Sequence, residues 1–372
     1  MLDWIFLIVG MILLIKGADY FVDGSSKIAK ALKIPSLIIG LTLVSMGTSA
    51  PELSVSLQAA LVGSNELSFG NVVGSNIFNT FFILGVASIF IPLVINDDMK
   101  KYDIPIMVLL YGLMLLFGFV ITPYKLDLVE SIIFIVLFVS YIILLIVRAK
   151  KSKQELEEQK EEGLTLKTLI AGVVLGVVGL FAILGKIVIA SIICALFVII
   201  LLFKFKKQLN VNNKLKFVIN IIFAAVGLVS IIGGGTMVVD SASNIAISLG
   251  MSETLVGLTI VAVGTSLPEL VTSVVASIKK ENDIAIGNVI GSNIFNILFI
   301  LGVSSSISNL EISPAVSLGF SESLADLLVL LLSGVLVLII SRLGKNIKKW
   351  QGVIFIVLYV AYIAYIILRE FA

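Results

Sequence analysis

GLTLVSMGTSAPEL at residues 40–53 recurs as GLTIVAVGTSLPEL at residues 257–270, at an offset of 217 residues. The same offset superimposes GNVVGSNIFN, which begins at Gly70, on GNVIGSNIFN, which begins at Gly287. Self-similarity of this kind is the sequence signature of a duplicated structural unit. The chain is therefore predicted to contain two copies of one fold, each with the motifs GTSxPE and GNxxGSNxFN.

The duplication extends beyond these two motifs. FIVLFVSYI at Phe134 matches FIVLYVAYI at Phe355, where the offset has grown by four residues. Asp23 and Asp240 also match, at the original offset. The repeated unit therefore spans five helices and not the motifs alone.

The composition is that of a membrane protein. Of the 372 residues, 59% are hydrophobic and 13% are charged, whereas about 25% of residues in an average soluble domain are charged. Most apolar runs between the charges reach the roughly 18 residues that indicate a transmembrane helix. This excludes a soluble globular protein and predicts an integral protein surrounded by the lipid bilayer. The net charge of +2 gives no sign of a nucleic-acid partner, and no protein partner is indicated.

The chain has no histidine and a single cysteine, Cys194. One cysteine excludes an intramolecular disulfide. The absence of histidine removes the commonest metal ligand and the usual proton shuttle at neutral pH. We therefore expect neither a bound cofactor nor an enzyme that depends on a histidine.

The apolar runs predict an all-α polytopic protein with about 12 transmembrane spans. Ten runs belong to the two repeats, five to each. The charged stretch RAKKSKQELEEQKEE follows the fifth run and predicts a solvated linker. Two further runs, near 164–184 and 187–203, predict an inserted transmembrane hairpin. The ten runs of the repeats lie near residues 3–24, 34–62, 69–94, 103–122, 127–148, 216–246, 252–278, 286–309, 324–341 and 350–368.

Three parts of the chain follow from this pattern. Residues 1–148 form the first five-helix repeat, residues 149–214 the charged linker and the hairpin, and residues 215–372 the second five-helix repeat. Because five is odd, the copies enter the membrane from opposite sides when the insert contributes two spans or none. Inverted repeats with a site at their interface are a common plan of secondary transporters.

The positions of lysine and arginine predict the orientation in the membrane. With twelve spans, one side holds only Lys125, Lys186 and Arg369, and the other side holds the remaining basic loop residues. The positive-inside rule makes the rich side cytoplasmic. The charged linker is then cytoplasmic and both termini are extracellular, in the cell membrane. Ten spans fit the charges equally well, and the length of the apolar insert favours twelve.

The first motif brings oxygen atoms together in an apolar span. Ser45, Thr48, Ser49, Glu52 and Ser56 are spaced by three or four residues, so they share one helix face. A carboxylate in the middle of a span costs roughly 2.5–3.5 kcal/mol on insertion scales and usually lines a pathway or a site. The second copy repeats this pattern with Thr265, Ser266, Glu269 and Ser273.

A proline precedes each glutamate, Pro51 in the first copy and Pro268 in the second. Proline removes a backbone N–H and clashes with the carbonyl four residues earlier, so each helix is predicted to break near the midplane. Hydroxyl, carboxylate and freed carbonyl oxygens suit a hard cation such as Ca²⁺, which takes about 6–8 oxygen ligands. The alternative is a proline kink beside a protonated glutamate, which the duplication disfavours.

The second motif places a neutral polar stripe on an apolar helix. Its residues recur at every fourth position in both copies, as Asn71, Ser75 and Asn79 and as Asn288, Ser292 and Asn296. One interpretation is hydrogen bonding between helices without an ion. Beside the glutamates, we interpret the stripe as ligands that complete the coordination shell. Asn76 and Asn293 lie off this stripe and are predicted to be packing residues.

The doubled pairing of GTSxPE with GNxxGSNxFN resembles the α-repeats of the sodium/calcium exchanger branch of the cation/Ca²⁺ antiporter superfamily. The resemblance covers about 300 residues, including both five-helix halves. It implies exchange of cytosolic Ca²⁺ for Na⁺, in some members together with K⁺, while a related branch uses H⁺. It also implies that the first span of each half slides across the rest of the protein to alternate access.

The resemblance also implies roles for individual residues. Glu52 and Glu269 would be the central Ca²⁺ carboxylates, with Thr48 and Thr265 as oxygen donors. Residues of the flanking Na⁺ sites would be Ser49, Ser266, Ser75 and Ser292, with the carbonyl groups of Ser45 and Ala262. One position departs from the family, because well-known members carry an acidic residue where this chain has Asn296, the match of Asn79. The centre then holds two carboxylates instead of three.

The sequence therefore predicts a Ca²⁺ antiporter that uses an inward Na⁺ gradient to expel Ca²⁺ at one midplane site, with Ca²⁺ and Na⁺ as its substrates. Ca²⁺/H⁺ antiport and K⁺-dependent Na⁺/Ca²⁺ exchange are the alternatives within this class. A cation channel is a rival from another class, but two broken helices that converge on one site suit an occluded pocket better than a continuous water path. An intramembrane enzyme is disfavoured, since no nucleophile–base pair is evident.

Overall fold

The computed structural model describes residues 2–157, 211–250, 262–312, 314–317 and 320–370. The predicted hairpin near 164–203 and the beginning of the predicted span 252–278, up to residue 261, lie outside these residues.

Helices make up most of the described chain, and most of them are long enough to cross a bilayer. They are α1 (Leu2–Leu32), α2 (Ser36–Thr48), α3 (Ala50–Leu61), α4 (Asn65–Phe90), α5 (Met99–Ile121), α6 (Leu128–Glu157), α7 (Val211–Ser248), α8 (Leu267–Ile278), α9 (Asn282–Ile307), α10 (Glu322–Leu343) and α11 (Lys349–Glu370). A short helical turn, Ala262–Gly264, precedes α8.

Within the described residues, eight helices are long and apolar enough to span a membrane, and the bent pair α2–α3 makes a ninth candidate. Helix α8 is apolar but has only 12 residues. The prediction of a mostly helical polytopic membrane protein is confirmed. The count of about 12 spans stays a prediction, since the hairpin lies outside the described residues.

Helices α4 and α9 form the centre of the molecule. Of the 18 most apolar consecutive residues in each helix, 94% are buried within the protein in α9 and 78% in α4. The corresponding share is 33% in α1 and 22% in α7. A helix that is apolar on all sides and buried by protein belongs to a core, whereas one that is apolar and little buried faces lipid. The second motif, which lies on α4 and α9, is therefore central, and α1 and α7 lie at the periphery.

Helices α1 and α7 pack with their backbones in direct contact. A Cβ atom added at Gly227 would lie 2.5 Å from the backbone nitrogen of Phe21 and 2.6 Å from the carbonyl oxygen of Gly17. Only glycine fits at such a contact. Small residues allow helices in lipid to gain van der Waals contact where no hydrophobic force drives them together. The pair α1–α7 therefore forms one closely packed unit.

In the described part of the chain, six two-residue strands form three antiparallel pairs, which were not predicted from the sequence because they are too short to show alternation. Strand β1 (Leu93–Val94), after α4, pairs with β6 (Asn346–Ile347), between α10 and α11. Strand β2 (Lys125–Leu126), between α5 and α6, pairs with β3 (Leu310–Glu311), after α9. Strands β4 (Val316–Ser317) and β5 (Phe320–Ser321) form a local hairpin. The first two pairs are equivalent under the repeat, and each joins one repeat to the other.

Each repeat also contains a partly or fully buried ion pair near the end of its fifth helix. In the first repeat, Arg148 binds Asp103 at 2.7 Å and 3.1 Å, and the Tyr141 hydroxyl donates to the same carboxylate at 3.1 Å. The second repeat holds Arg369, Asp326 and Tyr362 in the same arrangement, at 2.8, 3.0 and 3.0 Å. The sequence analysis missed these clusters, although a tyrosine seven residues before an arginine recurs in both copies.

Candidate cation site

The span that carries the first motif is broken next to its proline. Helices α2 and α3 meet at 49°, and Ser49 between them has φ −81° and ψ 11°, outside the helical region. Pro51 lies in the first turn of α3, where its missing N–H has no helical partner to lose. In the second copy, Ser266 has φ −92° and ψ 8° immediately before α8. The predicted break beside each proline is confirmed.

The break places each glutamate in the first turn of a helix. Glu52 lies at the start of α3 and Glu269 at the start of α8, and both side chains are fully buried. Carboxylates are favoured at this end of a helix, where free backbone N–H groups carry partial positive charge. Both carboxylates therefore lie inside the protein at equivalent positions of the two repeats.

Each GTSxPE motif contacts the glutamate of the other motif. The Ser49 hydroxyl donates to Glu269 Oε1 at 2.7 Å, and the Ser266 hydroxyl donates to Glu52 Oε1 at 2.8 Å. The second oxygen of each carboxylate, Oε2, is buried and has no hydrogen-bond partner. One oxygen of each carboxylate is thus fixed by protein and the other is available.

The threonines of the motif differ between the copies. Thr48 Oγ1 lies 3.1 Å from the carbonyl oxygen of Val44 and 3.0 Å from Asn288 Oδ1. Thr265 Oγ1 is buried without a partner. Ser45, one turn earlier than Thr48 on α2, is fully buried and donates to the carbonyl oxygen of Thr42 at 3.2 Å.

The serines of the second motif also differ. Ser292 Oγ on α9 lies 3.4 Å from both the Ser45 carbonyl oxygen and Glu269 Oε1. Its counterpart Ser75 on α4 is buried, and its hydroxyl has no partner. Ala262, the match of Ser45, begins the helical turn before α8 and is not hydrogen bonded to Ser75. The geometry therefore joins Ser292, Ser45 and Glu269, and leaves Ser75 free on the other side.

Asn79 and Asn296 lie in π-helical turns, Phe78–Ile83 in α4 and Asn296–Leu301 in α9. Such wide turns in helices often occur at functional sites. Both side chains are fully buried, and both carbonyl oxygens, Asn79 Oδ1 and Asn296 Oδ1, lack a hydrogen-bond partner. Their amide nitrogens are bonded to residues of the opposite repeat, so the free atoms are the oxygens.

Asn76 and Asn293, which were predicted to be packing residues, are buried and form hydrogen bonds between the two repeats. Asn79 Nδ2 donates to Asn293 Oδ1 at 3.1 Å, and Asn296 Nδ2 donates to Asn76 Oδ1 at 2.9 Å. These contacts cross between α4 and α9, where helical spacing within one helix gives no information. The signal available in the sequence was the recurrence of the full GSNxFN motif, which carries both asparagines in each copy.

Asn71 and Asn288 brace the helices that carry the glutamates. Asn71 Nδ2 lies 3.2 Å from the carbonyl oxygen of Glu52 and 2.9 Å from Ser56 Oγ. Asn288 Nδ2 lies 3.3 Å from the Glu269 carbonyl oxygen and 2.9 Å from Ser273 Oγ. These two asparagines therefore use their amide groups to hold α3 against α4 and α8 against α9.

The buried side-chain atoms of the two motifs that have no hydrogen-bond partner are all oxygens. Two are carboxylate oxygens, of Glu52 and Glu269, two are amide carbonyl oxygens, of Asn79 and Asn296, and two are hydroxyl oxygens, of Ser75 and Thr265. Within the described residues no group of three or more acidic, histidine or cysteine side chains could hold a metal ion. Two carboxylates with neutral oxygens match the chemistry of hard cations such as Ca²⁺ and Na⁺, and offer nothing to soft metals.

A family model for the sodium/calcium exchanger protein matches residues 2–147 and 219–368, which include both repeats and leave out the linker and the hairpin. The chain belongs to the sodium/calcium exchanger family. The resemblance inferred from the doubled motifs is thereby confirmed. This is a family of membrane transporters, and the motif residues of this chain lie within the matched segments.

Two curated relatives match this chain along nearly its whole length. It is 32% identical to the sodium/calcium exchanger MaX1 of Methanosarcina acetivorans, with 97% of each chain covered. It is 33% identical to the putative antiporter CaxA of Alkalimonas amylolytica, with 96% of each chain covered. Among solved structures, it resembles the sodium-calcium exchanger NCX_Mj soaked with Na⁺ and Sr²⁺, with a TM-score of 0.73, 26% identity and 98% of each chain covered.

Proposed function

We propose that this protein is a secondary active antiporter that expels Ca²⁺ in exchange for Na⁺ by alternating access at one site between the two repeats. The observation that carries the proposal is the set of four buried, unpartnered oxygens on Glu52, Glu269, Asn79 and Asn296. Buried polar atoms are nearly always hydrogen bonded, so four free acceptors in equivalent pairs indicate that a ligand satisfies them. Membership of the exchanger family and the names of its relatives support cations as that ligand.

The proposed ion ligands are the free oxygens together with the polar groups around them. Glu52 and Glu269 supply the negative charge, and Asn79 and Asn296 supply amide oxygens. The hydroxyl and carbonyl groups that complete the sites are those of Ser45, Thr48, Ser49, Ser75, Ala262, Thr265, Ser266 and Ser292. The contact of Ser292 with both Ser45 and Glu269 supports a flanking site on that side of the glutamates.

Competition between Ca²⁺ and Na⁺ follows from the charge of the site. Two carboxylates neutralise one Ca²⁺ or two Na⁺. In a buried environment of low dielectric, an excess of positive charge from both sets of ions is strongly unfavourable. Binding of one ion species therefore excludes the full set of the other, and this exclusion couples their transport.

We further propose that the two repeats are inverted. The loop between α4 and α5 of the first repeat pairs, through β1, with the loop between α10 and α11 of the second. The first loop follows the third span of its repeat, and the second loop follows the fourth span of its repeat. If the repeats were parallel, these two loops would therefore lie on opposite sides of the membrane. The equivalent pair β2–β3 gives the same support at the other side.

Access alternates, in this proposal, by sliding of the pair α1–α7 against the rest of the protein. The close glycine contact favours movement of the two helices as one unit, and their limited burial leaves them facing lipid. Contacts that tie this unit to the rest are therefore candidates for gates. One such group of contacts lies at the turn between α8 and α9.

Lys279 in this turn holds α1 through two acidic residues. Its ammonium group lies 2.5 Å from Asp19 Oδ1 and 2.6 Å from Asp23 Oδ1. Partial burial alone would lower the pKa of Lys279, but the hydrogen bonds to Asp19 and Asp23 outweigh it and raise that pKa. Glu281 in the same turn accepts a hydrogen bond from Ser26 at 2.6 Å.

We call the contacts of Lys279 with Asp19 and Asp23 the Lys279 latch. The sequence of the first repeat has no counterpart of this latch. The positions that match Lys279 and Glu281 are Val62 and Ser64, and the position that matches Asp19 is Thr236. We therefore propose that the Lys279 contacts close one side of the transporter and give its two access states unequal free energies. The lysines near this turn, which include Lys27, Lys30 and Lys33, make this the cytoplasmic side by the positive-inside rule.

The proposed setting is the cell membrane, with the charged linker in the cytoplasm and both termini outside. The chain is divided into the first repeat (1–148), the linker with a transmembrane hairpin (149–214) and the second repeat (215–372). With the hairpin as two spans, the protein has about 12 spans. Epitope tags on either terminus, probed in intact cells, test this orientation, and labelling that requires permeabilised cells contradicts it.

The coupling ion is tested by uptake of ⁴⁵Ca²⁺ into everted membrane vesicles. We expect uptake when Na⁺ is loaded inside the vesicles and an outward Na⁺ gradient exists, with no need for K⁺ and no response to an imposed pH gradient. Uptake that follows the pH gradient and ignores Na⁺ would establish Ca²⁺/H⁺ antiport instead. A requirement for K⁺ on the Ca²⁺ side would establish K⁺-dependent exchange, and flux without any counter-ion would indicate a channel.

A further inference from the structure

Four asparagine side chains, two from each repeat, form a closed group between α4 and α9. Asn76 and Asn79 lie on α4, and Asn293 and Asn296 lie on α9. All four are fully buried. Each outer residue, Asn79 or Asn296, donates its amide N–H to the oxygen of the inner asparagine of the other repeat, at 3.1 Å and 2.9 Å.

An asparagine amide has two ends of nearly equal size and opposite hydrogen-bonding character. Beside a cation, only the carbonyl end is attractive, and a turn of about 180° would present an NH₂ group and repel the ion. The hydrogen bonds from Nδ2 of Asn79 and Asn296 forbid this turn, because the acceptors Asn293 Oδ1 and Asn76 Oδ1 face them. The carbonyl ends are the ones left without a partner.

The inner asparagines are themselves fixed in orientation. Asn76 Nδ2 donates to the backbone carbonyl of Asn293 at 3.1 Å, so Asn76 Oδ1 faces Asn296. Asn293 Nδ2 donates to Thr80 Oγ1 at 2.9 Å, and Thr80 Oγ1 lies 3.3 Å from the Tyr111 hydroxyl. Every amide of the group therefore has one orientation that satisfies its partners.

We propose that Asn76 and Asn293 are positioning residues that orient the carbonyl oxygens of Asn79 and Asn296 toward the transported cation. This proposal rests on the cation site proposed above. Each repeat thus orients a ligand that belongs to the other repeat, so the site is complete only when α4 and α9 are in register. The two inner asparagines are held differently. Asn293 donates to the Thr80 hydroxyl, whereas the residue that matches Thr80 in the second repeat is Ile297, which has no hydroxyl.

The test uses a carboxylate, which presents an oxygen whichever way it turns. The affinity for Ca²⁺ is measured by equilibrium ⁴⁵Ca²⁺ binding to the purified full-length protein, with thermal unfolding recorded for each variant. In the parent protein, Asn76→Ala should raise the half-saturating Ca²⁺ concentration about tenfold, the usual effect of one lost buried hydrogen bond.

In the Asn296→Asp background, Asn76→Ala should leave the half-saturating concentration unchanged or lower it. There, an aspartate oxygen replaces the amide nitrogen that faces Asn76 Oδ1, so removing Asn76 relieves a repulsion between two acceptors. A residue needed only for packing would weaken binding equally in both backgrounds. An equal rise in the two backgrounds, or no rise in the parent, overturns the positioning role.

Thr80→Val provides a second variant that is nearly the same size and places an apolar side chain where the other repeat already has Ile297. It frees Asn293, so it should weaken Ca²⁺ binding in the parent by about threefold and have no effect in the Asn79→Asp background. Equal weakening of binding in both backgrounds counts against the proposal.

Glu52→Gln distinguishes failure of the cation site from failure of the positioning role. Unchanged Ca²⁺ binding in that variant overturns the site and the positioning role together, whereas its loss with equal effects of Asn76→Ala in both backgrounds overturns the positioning role alone.

Discussion

Ser49 of the first repeat donates a hydrogen bond to Glu269 of the second at 2.7 Å, and Ser266 returns the same contact to Glu52 at 2.8 Å. A hydrogen bond to a carboxylate in a buried site is strong because both groups have left water. Each repeat therefore fixes the carboxylate of its twin, and neither half alone builds a complete site.

Removal of one of these hydroxyl groups should weaken the site from one side. Ser49→Ala leaves Glu269 without its donor, and we expect the half-saturating Na⁺ concentration for exchange to rise about tenfold, since a hydrogen bond to a charged group contributes about 1.5–3 kcal/mol. Ser266→Ala should act equally on the other side. Ser88→Ala is the matched control, because this buried serine donates to the Gly85 carbonyl and bonds to no other group within the described residues. Normal Na⁺ dependence in both motif variants would contradict the cross-repeat contact.

A third carboxylate should change the balance between the two ions. Asn296→Asp places a negative charge where the fully buried Asn296 offers a neutral oxygen. We expect stronger Ca²⁺ binding with slower exchange, because a divalent ion gains more from the added charge and leaves the site more reluctantly. Stopped-flow Ca²⁺ release with steady-state flux measures both effects. Weaker Ca²⁺ binding in this variant would place residue 296 outside the ion site.

Loss of Lys279 should favour the state that is open on the side of the α8–α9 turn. Lys279→Met leaves Asp19 and Asp23 without their shared partner and releases α1 from this turn. We expect more labelling of cysteines introduced along the α1–α8 interface, and a lower half-saturating Ca²⁺ concentration from that side. The adjacent Lys280→Met is the matched control, since Lys280 forms no ion pair among the described residues. Equal labelling of the two variants would exclude a latch at Lys279.

The buried ion pairs at the ends of the fifth helices should matter for stability and not for ion selectivity. Asp103→Asn removes the buried carboxylate from Arg148 and leaves it with Asp98, which is 63% exposed, so we expect a loss of about 3–5 kcal/mol. Asp326→Asn should cost less, because Asp326 and Arg369 are 16% and 14% exposed, compared with 0% and 9% for Asp103 and Arg148. Denaturation in detergent measures both. A larger loss in Asp326→Asn would contradict this ranking.

The sequence predicted those features that depend on spacing within a single helix. Pro51 followed by Glu52 in an apolar run was enough to predict both a broken helix and a buried carboxylate, and the duplication predicted the second copy around Glu269. The polar stripe on α4 and α9 was visible from the four-residue spacing of its members. The family followed from the same motifs, and the match over both repeats confirms it.

Contacts between helices were out of reach of this reasoning. Helical periodicity tells which residues share a face and not which helix that face meets, so the bond between Ser49 and Glu269 was invisible. For the same reason Asn76 was predicted only as a packing residue, and its hydrogen bond with Asn296 across the repeats was not predicted. The pair Asp103–Arg148 joins two consecutive spans through residues that are 45 positions apart in sequence. The strands β1 and β6 are too short to leave a pattern.

The central claim is that one site, which contains both glutamates, binds Ca²⁺ and Na⁺ in turn. The most direct measurement is Na⁺-driven ⁴⁵Ca²⁺ uptake into proteoliposomes by the parent protein, Glu52→Gln and Glu269→Gln, with Glu130→Gln as the control. Glu130 is also a buried glutamate, but its oxygens accept hydrogen bonds from Thr122 and from the backbone of Asp127. The account predicts that each site variant folds and loses exchange while Glu130→Gln retains it, and robust exchange in either site variant would contradict it.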